Sequence, residues 1–241
     1  MDRTEIARLT ALEDTHWWYQ ERRSIVRSAV RRLTPGVALD IGAAGGGNTR
    51  VLRDAGWTAF AVEYSDQGAG IARARGVLAM QGDARLLPVR DRSVDLIIAF
   101  DVLEHIEEDD RAVEELYRVL KPGGRLLVAV PADQRLWSDH DVAVGHVRRY
   151  DRVDLQRLLS MAGFQLLSLR SWNVLLRPAV KFHRARSSGS DLEAVQPLIN
   201  RGLRAVVATE RFLPVGGWPG VSLLARARRP SLSLPLQEGP R

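Results

Sequence analysis

The sequence predicts an α/β fold: a doubly wound, mostly parallel sheet of seven strands, preceded by an N-terminal helical cap and carrying a substrate-side insertion. Three observations predict it. Short apolar runs alternate with amphipathic stretches through the middle of the chain, the first run ends in a glycine-rich turn, and acids stand where later runs end. With 241 residues the chain can bury a substantial core.

The elements follow in order. Residues 4–33 read as helix, with Ile6, Leu9, Leu12, Trp17, Trp18, Ile25, Val26, Ala29, Val30 and Leu33 near a 3.6-residue period. A buried strand at 37–42 leads into the glycine turn and a helix near 47–55. Strands follow at 58–63, 77–83 and 94–101, with a helix reaching about 75 between the first two of them. Val113, Leu116, Val119 and Leu120 mark a helix stopped by Lys121-Pro122-Gly123-Gly124, and 125–131 is a fifth strand. A loop rich in His and Asp (132–150), a helix (151–162) and a strand (164–171) come next, and 220–228 forms a last strand. The layout is a helical cap at 1–35, a core at 36–171, an insertion at 172–217, the core's final strand at 218–228 and a Pro/Ser-rich disordered tail at 229–241.

Composition excludes several classes. Hydrophobic residues make up 45% and charged residues 27%, which suits neither a disordered chain nor a membrane bundle. Apolar runs such as 126–131 fall far short of the ~20 residues that cross a bilayer. The charged N-terminus has no secretory pattern, so the expectation is a soluble cytoplasmic protein. Without cysteine there is no disulfide, thiolate zinc site or cysteine nucleophile. Residues 1–144 carry 19 Lys+Arg against 23 Asp+Glu, a balance of −4, whereas residues 145–241 carry 16 against 6, a balance of +10. No cation cluster is interleaved with aromatics, which leaves nucleic acid a minor reading and solvated arginines the plainer one.

The turn Asp40-Ile41-Gly42-Ala43-Ala44-Gly45-Gly46-Gly47 carries the most information. Glycine lets the backbone bend sharply after a buried strand and approach a ligand closely. Read as G-x-G-x-x-G it is a dinucleotide turn with Ala44 in place of the middle glycine. Read as D-x-G-x-G-x-G it has Asp40, Gly42 and Gly46, again departing at Ala44. Glu63, ending the second strand, suits ribose hydroxyls under either reading.

Five stretches together resemble the class I S-adenosylmethionine-dependent methyltransferases, whose core is Rossmann-like: 39–49, 61–65, 81–88, 93–105 and 115–131. The likeness is greatest to the ubiquinone-type and natural-product branch, and it covers roughly residues 1–171. It implies S-adenosylmethionine as cofactor and methyl transfer to a small-molecule acceptor, foremost at oxygen; a cofactor-binding but inactive partner protein is the alternative. It also implies roles. Asp40, Gly42 and Ala43 would shape the turn that meets the methionine part, Glu63 would accept ribose hydroxyls, and Tyr64 would flank the adenine. Asp83, with the Ala84 backbone, would meet the adenine amino group. Asp101 and Val102 would border the transferring methyl, and Arg22 would reach the methionine carboxylate.

The substrate side is read from the residues. Trp18 and Arg22 share one helical face, Tyr19 and Arg23 the next. Asp101, Glu104 and His105 stand at i, i+3 and i+4, so on a helix they project together. That set could hold the helix, supply a base or bind a divalent ion; the spacing gives no complete ligand set, and no metal is assigned. In the loop at 137–150, His140, His146, Arg149 and Tyr150 would overhang the pocket. The candidate bases are His105, His140 and His146, and the candidate substrate contacts are Trp18, Tyr19, Arg149 and Tyr150. The mixture of apolar residues and arginines at 172–217 suits an acidic or amphiphilic acceptor, a peripheral membrane contact or a dimer surface.

Overall fold

The computed structural model describes residues 10–184 and 195–231. The start of the expected first helix and most of the expected tail lie outside the described residues.

Seven strands form one sheet: β1 (Val37–Ile41), β2 (Thr58–Glu63), β3 (Ala79–Gln81), β4 (Val94–Phe100), β5 (Leu120–Pro131), β6 (Gln165–Trp172) and β7 (Ser222–Arg228). Their spatial order is β3-β2-β1-β4-β5-β7-β6. All pairings are parallel except those of β7, which runs antiparallel to both β5 and β6. The order reverses between β1 and β4, so the carboxyl ends of these strands open a crevice there. Helices α1 (Trp17–Val30), α2 (Gly47–Asp54), α3 (Asp66–Ala74), α4 (Asp109–Val119), α5 (Asp139–Val144), α6 (Arg152–Met161), α7 (Arg177–Arg184) and α8 (Pro197–Thr209) cover the faces and the β6–β7 connection.

The period-2 alternation of β4 builds a core on each side of the sheet. Leu96, Ile98 and Phe100 pack with Val26 and Val30 of α1 and Val51 and Leu52 of α2. Ile97 and Ala99 face the other way, among Leu116 of α4 and Leu155 and Leu159 of α6. A strand buried on both faces reads as the near-continuous apolar run that the sequence shows.

Five expectations need correction. The first helix does not run unbroken to 33: residues 10–13 are helical, 14–16 turn, and α1 begins at Trp17 with the His16 ring accepting from the Trp18 amide. A side-chain acceptor at that point satisfies an amide that a continuous helix would have bonded internally. No helix follows directly on β4; Leu103–His105 form a single 3₁₀ turn, and α4 starts at Asp109, where Asp109 and Asp110 favour the positive end of the helix dipole. Residues 132–150 are not one loop, because Gln134–Leu136 and α5 are helical. The third strand is three residues rather than seven, and β5 begins at Leu120, so Lys121–Gly124 belong to it across a register shift.

The cap and the insertion meet. The Trp17 amide donates to Asn200 Oδ1 at 2.8 Å, and Asn200 Nδ2 donates to the Thr15 carbonyl at 2.9 Å. Arg204 and Arg211 both pair with the buried Glu21. Trp17, Trp172 and Val207 share one apolar cluster.

Candidate functional site

The turn after β1 takes the left-handed backbone at Gly42 (φ +65°), Ala44 (φ +49°) and Gly46 (φ +78°). A Cβ on Gly42 would stand 2.6 Å from Val102 Cγ2, so glycine is needed there for space as well as for conformation. Ala44 holds the conformation against its own Cβ. Its amide donates to Glu63 Oε1 at the end of β2.

Two buried carboxyls flank this turn. Burial pushes Glu63 up to about 7, the Ala44 amide opposing and the nearby Glu13 charge adding to the rise. Asp40 also goes up to about 7 by burial, eased by the Thr49 hydroxyl that donates to it at 2.7 Å. Asp40 therefore faces α2, behind the turn. Sequence reasoning missed Glu13: its Oε1 accepts from the Gly47 amide at 2.8 Å and its Oε2 pairs with Arg75 at 3.0 Å. Only the charge at the end of an amphipathic stretch hinted at it, and amphipathic helices normally send such charges into water.

Further along the strand ends, Asp83 is gripped by Arg85, whose Nη2 lies 2.7 Å from Oδ2; those hydrogen bonds hold the carboxyl below its usual range. Tyr64, directly after β2, is exposed, and Ala84 is buried in the main apolar core. Trp18 and Arg22 do share a face of α1. The Arg22 guanidinium packs against the rings of Trp18 (4.8 Å) and Trp172 (4.6 Å), which touch edge to face, with Phe100 at 5.5 Å. Its Nη2 donates to Asp101 Oδ1 at 2.6 Å, while Nε and Nη1 are buried without an acceptor. Arg23 turns instead to the Glu13 carbonyl at 2.6 Å. Tyr19 stands on the same helix, its ring 6.2 Å from that of His16.

Asp101 has φ +56° and is not helical, so the i, i+3, i+4 face does not form as expected. Burial raises its carboxyl, with Arg22 and His146 opposing. Glu104 is fully buried with neither oxygen hydrogen-bonded, and burial together with Asp101 raises it well above the usual carboxylate range. The partner from a distance is His146. One ligating atom each of Glu104, His105 and His146 lies within 4.8 Å of the others, and their types suit a divalent cation; Asp101 is outside that group. The His105 and His146 rings are 4.8 Å apart, and His140 is 6.2 Å from His146. His105 Nδ1 is 3.1 Å from the Gly145 carbonyl, and burial pushes this histidine down to about 4.

Arg149 and Tyr150 line a surface cavity together with Asp109 and Arg148, and both are themselves buried. Arg149 is buried against Asp141 and the Ala132 carbonyl, and the Tyr150 hydroxyl donates to Asp109 at 2.6 Å. Both satisfy internal partners, as buried polar groups must.

Residues 39–128 match the sequence model of a family described as a methyltransferase domain. A Mycolicibacterium smegmatis protein named "Probable S-adenosylmethionine-dependent methyltransferase" is 26% identical over 162 residues, covering 66% of this chain and 63% of the relative. The match thus spans just under two thirds of that relative's length. The malonyl-[acyl-carrier protein] O-methyltransferase 1 of Coxiella burnetii is 33% identical over 137 residues, 55% of this chain and 48% of the relative. Among solved structures, an S-adenosylmethionine-dependent methyltransferase from Mesorhizobium loti superposes with a TM-score of 0.63 at 14% identity, covering 90% of this chain and 100% of that one. The [4+2]-cyclase SpnF superposes with a TM-score of 0.60 at 24% identity, covering 89% and 83%. These two likenesses are of fold, and their names differ in chemistry.

Proposed function

We propose that this chain, whose residues 39–128 match the model of a methyltransferase domain, transfers a methyl group from S-adenosylmethionine to an oxygen of a small-molecule acceptor. The observation that carries this reading is the row of groups at the strand ends: Glu63 after β2, Asp83 after β3, and Arg22 with Asp101 at the end of β4.

These residues fit the cofactor. Glu63 receives one backbone hydrogen bond, and a carboxylate offers about four lone-pair sites, so it retains capacity for two ribose hydroxyls. Asp83 would meet the adenine amino group once Arg85 yields. Arg22 keeps two buried N–H directions without an acceptor, which suits a carboxylate brought by the ligand. The bare backbone of Gly42 leaves room that a side chain would fill.

Bound here, S-adenosylmethionine supplies a methyl group already activated by a sulfonium. The protein's part is to hold the acceptor oxygen in line at near-attack distance, ~3–3.5 Å, and to keep water out. The acceptor's atom is proposed as oxygen because the site gathers proton-accepting groups, and because a relative acting on oxygen matches the chain at 33%.

Titrating S-adenosylhomocysteine into the protein tests the reading. Heat with wild type, and at least about tenfold weaker binding for Glu63→Ala and Asp83→Ala, is the expected result. Absence of heat, or unchanged binding in both variants, overturns it. Incubation with methyl-labelled S-adenosylmethionine and cell extract then places the label on a methyl ether if oxygen is the acceptor.

A further inference from the structure

We propose that the β6–β7 connection and the strand face beside it dock on an anionic lipid bilayer, a property that does not rest on the methyl-transfer reading above. Two adjoining features carry it, an exposed apolar ridge and a row of arginines without acids.

Helix α8 is apolar on two sides. Val207 is buried and packs with Trp17 and Trp172, which seats the helix on the cap and the sheet. Leu198, Ile199, Gly202 and Val206 fall on the face turned away from Val207, by the 3.6-residue period. Leu198 is 80% exposed and Ile199 54%, so this second stripe lies in water. The turn after α8 continues it, with Phe212 86% and Trp218 62% exposed. A helix apolar all round is normally covered on every side. No acid occurs in α8 itself.

The arginines belong to the neighbouring strands. In the register of the sheet, Arg228 lies opposite Arg125, Arg226 opposite Leu127 and Arg170 opposite Leu224. Opposed residues share a face, as do residues two apart, so all four arginines project from one side. Leu127 packs there with Val26 and Val30 of α1. Strands β5, β6 and β7 contain no acid at all. Among the described residues none of the four arginines pairs with a carboxylate, and Arg228 donates to Gln165 instead. Desolvation and the neighbouring Arg170 charge both lower the Arg226 guanidinium.

Row and ridge are continuous. Leu224, two residues before Arg226, joins the apolar cluster that holds Val207 of α8. A Cβ on Gly216 would stand 2.8 Å from Arg170 Nε, and the Trp218 amide donates to the Val215 carbonyl in that same turn.

An anionic bilayer answers both features, its phosphates meeting the arginines and its acyl boundary the ridge. A nucleic acid would answer the arginines alone, and a second copy would set like charges against each other. Among the described residues no helix is long and apolar enough to cross a membrane. Helix α8, with 13 residues, reaches about 20 Å, a length that lies in the interface plane.

Co-sedimentation of the full chain with vesicles tests the proposal. Vesicles of phosphatidylcholine are compared with vesicles containing about one third phosphatidylglycerol, at ~0.1 M salt. Binding to the anionic vesicles should be at least about tenfold tighter and should weaken as salt rises. The double variant Arg170→Gln/Arg226→Gln should bind them roughly 10–25-fold more weakly, since each cation near such a surface counts for about fivefold. Phe212→Ser/Trp218→Ser should lose about tenfold on the same vesicles. Lipid brominated on its acyl chains should quench wild-type tryptophan fluorescence, and Trp218→Phe should lose that quenching. Equal binding to both vesicles, arginine variants that bind like wild type, or quenching unchanged in Trp218→Phe overturns the proposal. So does a dimer in sedimentation velocity that Phe212→Ser/Trp218→Ser dissolves, or binding to an oligonucleotide without binding to vesicles. The wild-type comparison decides even if a variant does not fold.

Discussion

Arg22 and Asp101 stand 79 positions apart in sequence and 2.6 Å apart in space, which ties the N-terminal helix to the end of the central strand. The guanidinium packs against two indoles that touch each other, while one of its nitrogens reaches the carboxylate. An ammonium has neither the plane to stack nor the fork to reach a second anion. Arg22→Lys is therefore expected to weaken S-adenosylhomocysteine binding by about tenfold or more, read by calorimetric titration. Binding equal to wild type would show that Arg22 serves only the cap.

Ala44 occupies left-handed backbone, which costs an L-residue with a side chain roughly 1–2 kcal/mol. Glycine recovers that strain and loses part of the gain to the greater freedom of the unfolded chain. Ala44→Gly should raise stability by about 0.5–1 kcal/mol, a Tm increase on the order of 2–3 °C for a chain of this size. Scanning calorimetry checks the sign, and a lower Tm would refute the strain.

Asp40 is buried, and its folded-state value of about 7 lies above the unfolded one of about 4. The native state then holds the extra proton between those values, so this group's contribution to stability is complete below about pH 4 and is lost as pH rises through about 7. Asp40→Asn keeps an oxygen for the Thr49 hydroxyl and removes the titration. Its Tm should exceed that of wild type at about pH 8 and fall less between about pH 4 and 7. Parallel Tm–pH curves for the two proteins would rule this out.

Glu63 is also raised to about 7, and ribose hydroxyls donate best to the ionised form. Cofactor affinity should therefore increase as pH goes from about 6 to 8. Glu63→Gln should bind more weakly and lose most of that dependence, as titrations at several pH values would reveal.

The sheet was legible because β4 and β5 are apolar on both faces, and because each strand of the core ends at a turn residue or an acid. Glu63, Asp83 and Asp101 could be located from their place after a strand, since a parallel sheet brings such ends together whatever the side chains do. The arrangement of the histidines was not legible. His146 meets Glu104 through the path of residues 132–150, which pack by way of buried Arg149 and Tyr150; spacing along one helix could not foretell it. Glu13 was hidden for a related reason. A charge that turns inward to cap another helix looks, in sequence, like any charge that faces water.

The last strand lies between β5 and β6, and among the described residues β6 bonds to no other strand of the sheet. On the ribosome, β1 to β5 can pair as each strand emerges. β6 must wait, its edge open, until the nascent chain has delivered residues up to Arg228.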